Sequence, residues 1–170
     1  MPLDVHALIA GLALRHGVAD VPRLSRVADD ISQASVEPVF CGSRAADALS
    51  VTLIAIAEHE SGWQERVQTC AYSVDSQYSL WQLKGSVSMG GHTKTEVCSD
   101  DALAASLAAK VLMRVRRCGS VECMMRGYAS GNTLVRSRAA TELSNLVFGL
   151  VWGAGIILRY RNGCLSAESR

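Results

Sequence analysis

A carboxylate stands where a core residue belongs in the stretch LSVTLIAIAEHESGW, Leu49 to Trp63. Leu49, Leu53, Ile56 and Glu60 fall at i, i+4, i+7 and i+11, the spacing of one helix face, so Glu60 ends a stripe that is otherwise apolar. Gly62 reads as the residue just past the helix end, which puts Glu60 in the last turn, beside free carbonyls and the negative pole. Apolar walls and that pole both disfavour the ionised form. The placement therefore predicts an acid that keeps its proton near neutral pH and can donate it to a leaving oxygen. Glu58 is expected on the solvated surface, and at about 200° around the helix from Glu60 it cannot pair with it on one face. A partner for Glu60 has to come from elsewhere in the chain.

Other residue types narrow the chemistry. Tyr72, Tyr78 and Trp81 offer flat faces with hydrogen-bonding edges, suited either to stacking on sugar rings or to packing in the core. His6, His16, His59 and His92 show no ligand spacing with one another, and no C-x-x-C pair occurs, so neither a metal site nor a cofactor is expected. Six cysteines, at 41, 70, 98, 118, 123 and 164, point instead to disulfides and an oxidising, extracytoplasmic setting. Their even number allows 15 pairings, and sequence does not choose between them. With 17 basic residues against 16 acidic and a net charge of +1, the chain lacks a nucleic-acid footprint. The basic runs at 114–118, 136–138 and 159–161 read as solvated faces.

A chain of 170 residues, 49% hydrophobic and 19% charged, is expected to fold as one domain over 1–170. Residues 1–40 read as a helical scaffold. Asp4 caps a helix running to Arg15, and Asp20 with Pro22 opens a second that must end before Pro38. The first of these is an amphipathic helix rather than a signal peptide. Ser43 is a plausible cap for the Glu60 helix. Between 64 and 98 the helical period disappears, and an irregular region or short β-hairpin is expected. Ser99 then caps a helix with Asp100 and Asp101 at its positive pole, continuing to Gly119. A short helix spans Val121 to Tyr128. The last helix is expected over Ser137 to Arg159; apolar nearly all round from Leu146 to Leu158, it belongs at the centre of the bundle. The segment Leu143–Leu158 has 16 residues, short of the roughly 20 that cross a bilayer, so no membrane span is expected. The fold class is mainly α: a helical bundle around a buried C-terminal helix, with the irregular or hairpin region near 64–98.

Three segments, in order and spacing, resemble the lytic transglycosylase and goose-type lysozyme group of the lysozyme-like superfamily. They are Glu60-Ser61-Gly62-Trp63, Ser79-Leu80-Trp81-Gln82-Leu83, and Tyr128-Ala129-Ser130-Gly131-Asn132. The resemblance covers 45–160 and implies an α+β lysozyme-like fold. It also implies cleavage of the β-1,4 bond between N-acetylmuramic acid and N-acetylglucosamine in peptidoglycan. Carried over, Glu60 would be the single general acid and base, with Ser61 helping to fix the site. Ser79, Leu80, Trp81, Gln82, Tyr128 and Asn132 would form the substrate-binding surface, with Gln82 donating to sugar substituents and Tyr128 holding the sugar near the scissile bond. The sequence departs from the family pattern at Ser79, where glycine is usual, at Trp81, where methionine is usual, and at Gly127 and Ser130. Trp81 is bulky enough to narrow a subsite.

A transglycosylase needs only Glu60 and leaves a 1,6-anhydro product. Hydrolysis by the usual route needs a second carboxylate, for which Asp75 is the candidate. A catalytically silent cell-wall-binding protein and a peptidase acting on stem peptides are the other readings. The expected partners are peptidoglycan glycan strands, and the expected setting is a virus particle, a secretion assembly, the periplasm or the cell exterior.

Overall fold

The computed structural model describes residues 3–72 and 77–170, with Ser86 described by its backbone alone. Asp75, the candidate second carboxylate, lies outside the described residues. The chain is mainly helical. Helix α1, Val5–Arg15, is capped by Asp4, whose carboxylate accepts from the Ala7 amide at 2.9 Å. Helix α2, Val21–Ala34, is capped by Asp20 and carries Pro22 in its first turn, as the sequence predicts.

Helix α3, Ala45–Ser61, is the centre of the molecule: every residue from Ala48 to Ala57 is buried. Its buried hydroxyls are satisfied, Thr52 donating to the Ala48 carbonyl at 2.7 Å and Ser50 to the Ser35 hydroxyl at 2.8 Å. Ser43 does not cap it. Arg44 is the N-cap residue and makes no side-chain cap bond, while the Ser43 hydroxyl donates to Glu168 at 3.0 Å.

The region from Gln64 to Ser99 is shorter on irregular structure than its sequence suggests. It holds α4 (Glu65–Gln68), the strands β1 (Gln77–Tyr78) and β2 (Leu83–Lys84), and two further turns of helix, α5 (Gly85–Ser88) and α6 (Lys94–Ser99). Strands β1 and β2 form the expected hairpin, pairing Gln77 with Lys84 and Tyr78 with Leu83. Helix α7, Asp101–Arg114, is capped by Asp100, which accepts from Leu103 N at 2.9 Å; Ser99 closes α6 instead. Helix α8, Val121–Ser130, and helix α9, Arg138–Gly153, follow, and α9 packs on both α8 and α3.

The C-terminal region departs from expectation. Helix α9 ends at Gly153, and the chain returns as a hairpin of β3 (Ile156–Arg161) and β4 (Cys164–Ser169). Asn162 and Gly163 form its two-residue loop at φ 51° and 83°, the pair of positive φ angles that an Asn-Gly hairpin turn requires. Nor is α9 central. It buries one face through Ala140, Leu143, Ser144, Val147 and Val151, and it leaves Phe148 and Trp152 about half exposed, at 48% and 58%. An apolar run fixes hydrophobicity, not the number of neighbours available to cover it.

Nearly all of the buried apolar residues form one cluster running from Val5 to Ala167. Three disulfides fasten it: Cys41–Cys164 ties the C-terminal hairpin to the segment before α3, Cys70–Cys98 closes the β1–β2 region, and Cys118–Cys123 spans the α7–α8 turn. Among the described residues no helix is long and apolar enough to cross a membrane.

Sequence separations of 123, 28 and 5 residues rank the disulfides by the unfolded-chain entropy each removes. Double alanine replacement is expected to cost about 5, 4 and 2 kcal/mol respectively on that entropy argument. Urea unfolding of the three variants checks this ranking.

Candidate functional site

The C-terminal turn of α3 is held from behind. Gly62 takes the left-handed conformation, φ 55°, and a Cβ there would come within 3.1 Å of the His16 ring. Glycine therefore both ends the helix and lets α1 close on it. Behind that turn Glu58 accepts from the Trp63 indole N–H at 2.5 Å and meets His16 Nε2 at 2.9 Å. Its side chain is 12% exposed, so the solvated position expected for Glu58 is corrected: it clamps the turn. Trp63 is fully buried, and its carbonyl accepts from Arg23 Nη2 at 2.7 Å. Ser61 is also buried, donating to the Ala57 carbonyl at 2.5 Å and accepting from the Trp63 amide at 3.2 Å. With the back of the turn fixed, Glu60 projects to the other side.

The Glu60 side chain is 21% exposed and lines a cavity of about 70 Å³. Its walls are more polar than the helix stripe suggests: Gln77, Gln82, Lys84 and Ser88 stand with Leu83, Val111 and Tyr128. A second cavity of about 420 Å³ shares Lys84, Ser88, Val111, Tyr128 and Ala129 with the first and continues to Arg114 and Gly131. Together they form a cleft in the size range of ligand sites, with Glu60 at one end. Arg114 is fixed there by a 2.8 Å hydrogen bond from Nη1 to the Val87 carbonyl.

The hairpin loop presents Gln82 and hides its neighbours. Ser79 and Gln82 both take positive φ, 66° and 49°, and the Gln82 side-chain amide donates to the Ser79 carbonyl at 3.1 Å. Ser79, Leu80 and Trp81 are fully buried. Trp81 therefore neither lines the cleft nor narrows a subsite, and Leu80 does not line it either. The Trp81 indole N–H donates to the Leu53 carbonyl of α3 at 3.1 Å, which makes it an anchor for the loop. Tyr128 links α8 to the same loop by donating to the Trp81 carbonyl at 2.7 Å. Burial, and then the Glu60 charge, raise the Tyr128 phenol well above 10. It thus remains a donor across the working pH range.

Of the residues selected from sequence, the structure brings Glu60, Gln82 and Tyr128 into one cavity and sets Ser61, Ser79, Leu80 and Trp81 behind its wall. Asn132 lies outside, its side-chain carbonyl accepting from Leu134 N at 2.9 Å in the turn after α8. Of the stacking candidates, Tyr72 is half exposed beneath the Arg66 guanidinium and Tyr78 lies beneath Lys94. Gly127 has a physical reason: a Cβ there would lie 2.5 Å from Val115 Cγ1.

Sequence reasoning missed Gln77, Lys84, Arg114 and His59. His59 Nδ1 lies 3.3 Å from Glu60 Oε1. The signal for His59 is its adjacency to Glu60. Among the described residues no group of three His, Cys, Asp or Glu side chains is arranged to hold a metal ion. No family model, curated protein or solved structure matches the chain.

Tyr128→Phe leaves the Trp81 carbonyl without its donor and is expected to cost about 1–2 kcal/mol, read from denaturant unfolding. Because burial resists ionising this phenol, its contribution is complete below the ordinary tyrosine range and declines as pH rises above it. Absorbance titration of the native protein is expected to show one of its four tyrosines ionising after the others.

Proposed function

We propose that the protein cleaves peptidoglycan glycan strands at the β-1,4 bond between N-acetylmuramic acid and N-acetylglucosamine, as a lytic transglycosylase of lysozyme-like fold. The observation that carries this reading is the meeting of Glu60, Gln82 and Tyr128 in one cavity, because each comes from a different one of the three segments that carry the family resemblance. Extracytoplasmic action fits the three disulfides.

Glu60 protonates the glycosidic oxygen, and the C1–O4 bond breaks as the acetamido group of the muramyl sugar meets the developing positive charge. The Glu60 carboxylate then takes the proton of the 6-hydroxyl while O6 bonds to C1. One proton is given and one recovered, no water is consumed, and the product ends in a 1,6-anhydro ring. Gln82 and Tyr128 border the sugar from the loop and from α8. Lys84 and Arg114 give the cleft a cationic side, matched to the carboxylates of stem peptides.

The transglycosylase reading is preferred to the hydrolytic one because it needs Glu60 alone, whereas the second carboxylate of the hydrolytic route, Asp75, lies outside the described residues. Glu142 shares the neighbour His59 with Glu60, but it lies across the imidazole and is engaged by Arg138 at 2.7 Å. A carboxylate so occupied is suited to holding His59 rather than to activating water.

Glu60→Gln is expected to lower lysis of purified cell walls by about 100-fold or more while leaving sedimentation with peptidoglycan intact. Mass spectrometry of the wild-type digest is expected to show anhydro-muramyl ends. Reducing ends would identify a hydrolase, free peptide ends a peptidase, and undiminished lysis by the variant would remove Glu60 from the chemistry. Lys84→Ala, which deletes an exposed cation, is expected to raise KM no more than about fivefold with kcat unchanged; steady-state kinetics on soluble muropeptide chains checks it.

A further inference from the structure

His59 and Glu60 are neighbours on α3; the Glu60 side chain lines the cleft and the His59 side chain lies against it. His59 Nδ1 stands 3.3 Å from Glu60 Oε1, and its Nε2 stands 4.0 Å from Glu142 Oε2 on α9. The other Glu142 oxygen accepts from Arg138 Nε at 2.7 Å. Four groups of alternating charge type thus run from the cleft to the surface: Glu60, then His59 with a side chain 22% exposed, then Glu142 at 50%, then Arg138 at 93%. Among the described residues, the other titratable groups lining the cavity with Glu60 are the neutral Tyr128 phenol on α8 and the Lys84 ammonium on β2.

We infer that His59 is a positioning residue that shares one proton with Glu60, and that Glu142 orients the imidazole for that exchange. The inference rests on the transglycosylase reading of Glu60. A lone acid that must be protonated before bond breaking and ionised after it gains from a neighbour that stabilises both forms. Neutral His59 accepting at Nδ1 from the Glu60 carboxyl and imidazolium donating from Nδ1 to the carboxylate are one proton in two positions. Delivery to O4 takes that proton from the pair, leaving neutral imidazole and carboxylate, and the 6-hydroxyl proton restores it. The proton delivered to O4 leaves from Glu60 and the proton of the 6-hydroxyl returns to it, so His59 ends each turnover unchanged.

The environment of the ring points the same way. The hydrogen bond to Glu60 raises the His59 pKa most, burial opposes it, and the Glu60 and Glu142 charges add to the rise. By sign, the imidazolium–carboxylate pair is complete below the ordinary histidine range and is lost as pH rises through the raised value. Glu142 is itself held below the usual carboxylate range, chiefly by Arg138, so it stays anionic opposite Nε2.

The test combines NMR titration of the His59 ring in wild type, Glu60→Gln and Glu142→Gln with pH–rate profiles of wild type, His59→Gln and His59→Ala. The His59 midpoint is expected to fall in both carboxamide variants, more in Glu60→Gln. In the His59 variants kcat is expected to drop about tenfold or more with KM within about twofold, and the alkaline limb is expected to move to lower pH. An unchanged midpoint in Glu60→Gln, or unchanged kcat and limb in the His59 variants, overturns the inference. Should a His59 variant fail to fold, the titration of the carboxamide variants decides alone. Loss of lysis in Glu60→Gln beside normal His59 variants sinks this inference only, whereas retained lysis in Glu60→Gln sinks the reading beneath it.

Discussion

Complete burial of α3 from Ala48 to Ala57 is the constraint on which the rest of the structure depends. A helix with no solvated side has to be covered from all directions, and α1, α2, α7, α9 and the C-terminal strand β4 do so. Leu49, Leu53, Ile54 and Ile56 are each fully buried, and each such side chain is worth roughly 1.5–3 kcal/mol. That hold on the helix is large compared with the cost of a polar side chain at its end. The C-terminal turn can therefore carry Glu58, His59 and Glu60 in three directions without leaving its place.

The polar groups around this turn divide into those that hold and those that reach. On the far side, Arg23 donates to both the Gln68 side-chain oxygen and the Trp63 carbonyl, and Gln68 passes the chain on to Asp101, joining α2, α4 and α7. Burial raises the Asp101 pKa more than the Gln68 hydrogen bond lowers it, so charge on this carboxyl carries a burial cost that the bond only partly offsets. What that cost maintains is the register of three elements beneath Trp63. Glu58 adds α1 to the same assembly through His16.

On the cleft side the ties are made by aromatic residues with one polar edge. Trp81 bonds a carbonyl in the middle of α3, and Tyr128 bonds the carbonyl of Trp81. One short chain of donors thus fixes the β1–β2 loop and α8 against the central helix. Gln82 is carried on that loop, and the separation between it and Glu60 is set by this chain together with the Cys70–Cys98 disulfide, whose Cys70 sulfur accepts from the Ser79 amide at 3.4 Å. The proposed chemistry depends on that separation.

The sequence by itself determined that the protein is mainly helical, that Asp4 and Asp20 begin the first two helices, and that Glu60 sits in the last turn of an apolar helix ended by Gly62. These follow from local rules: capping chemistry, helical period and the freedom of glycine at positive φ. It also contained, in Asn162-Gly163, a turn signal for the C-terminal hairpin that the expectation of a helix to Arg159 did not use. What the local rules did not contain was which side of an element would be covered. The seating of Glu58 against His16, the burial of Trp81 and the exposure of Trp152 are all decided by partners distant in the chain. The same is true of His59, whose neighbours Glu60 and Glu142 are one and 83 residues away along the sequence. Adjacency showed half of that arrangement; only the packing of α9 on α3 supplied the rest.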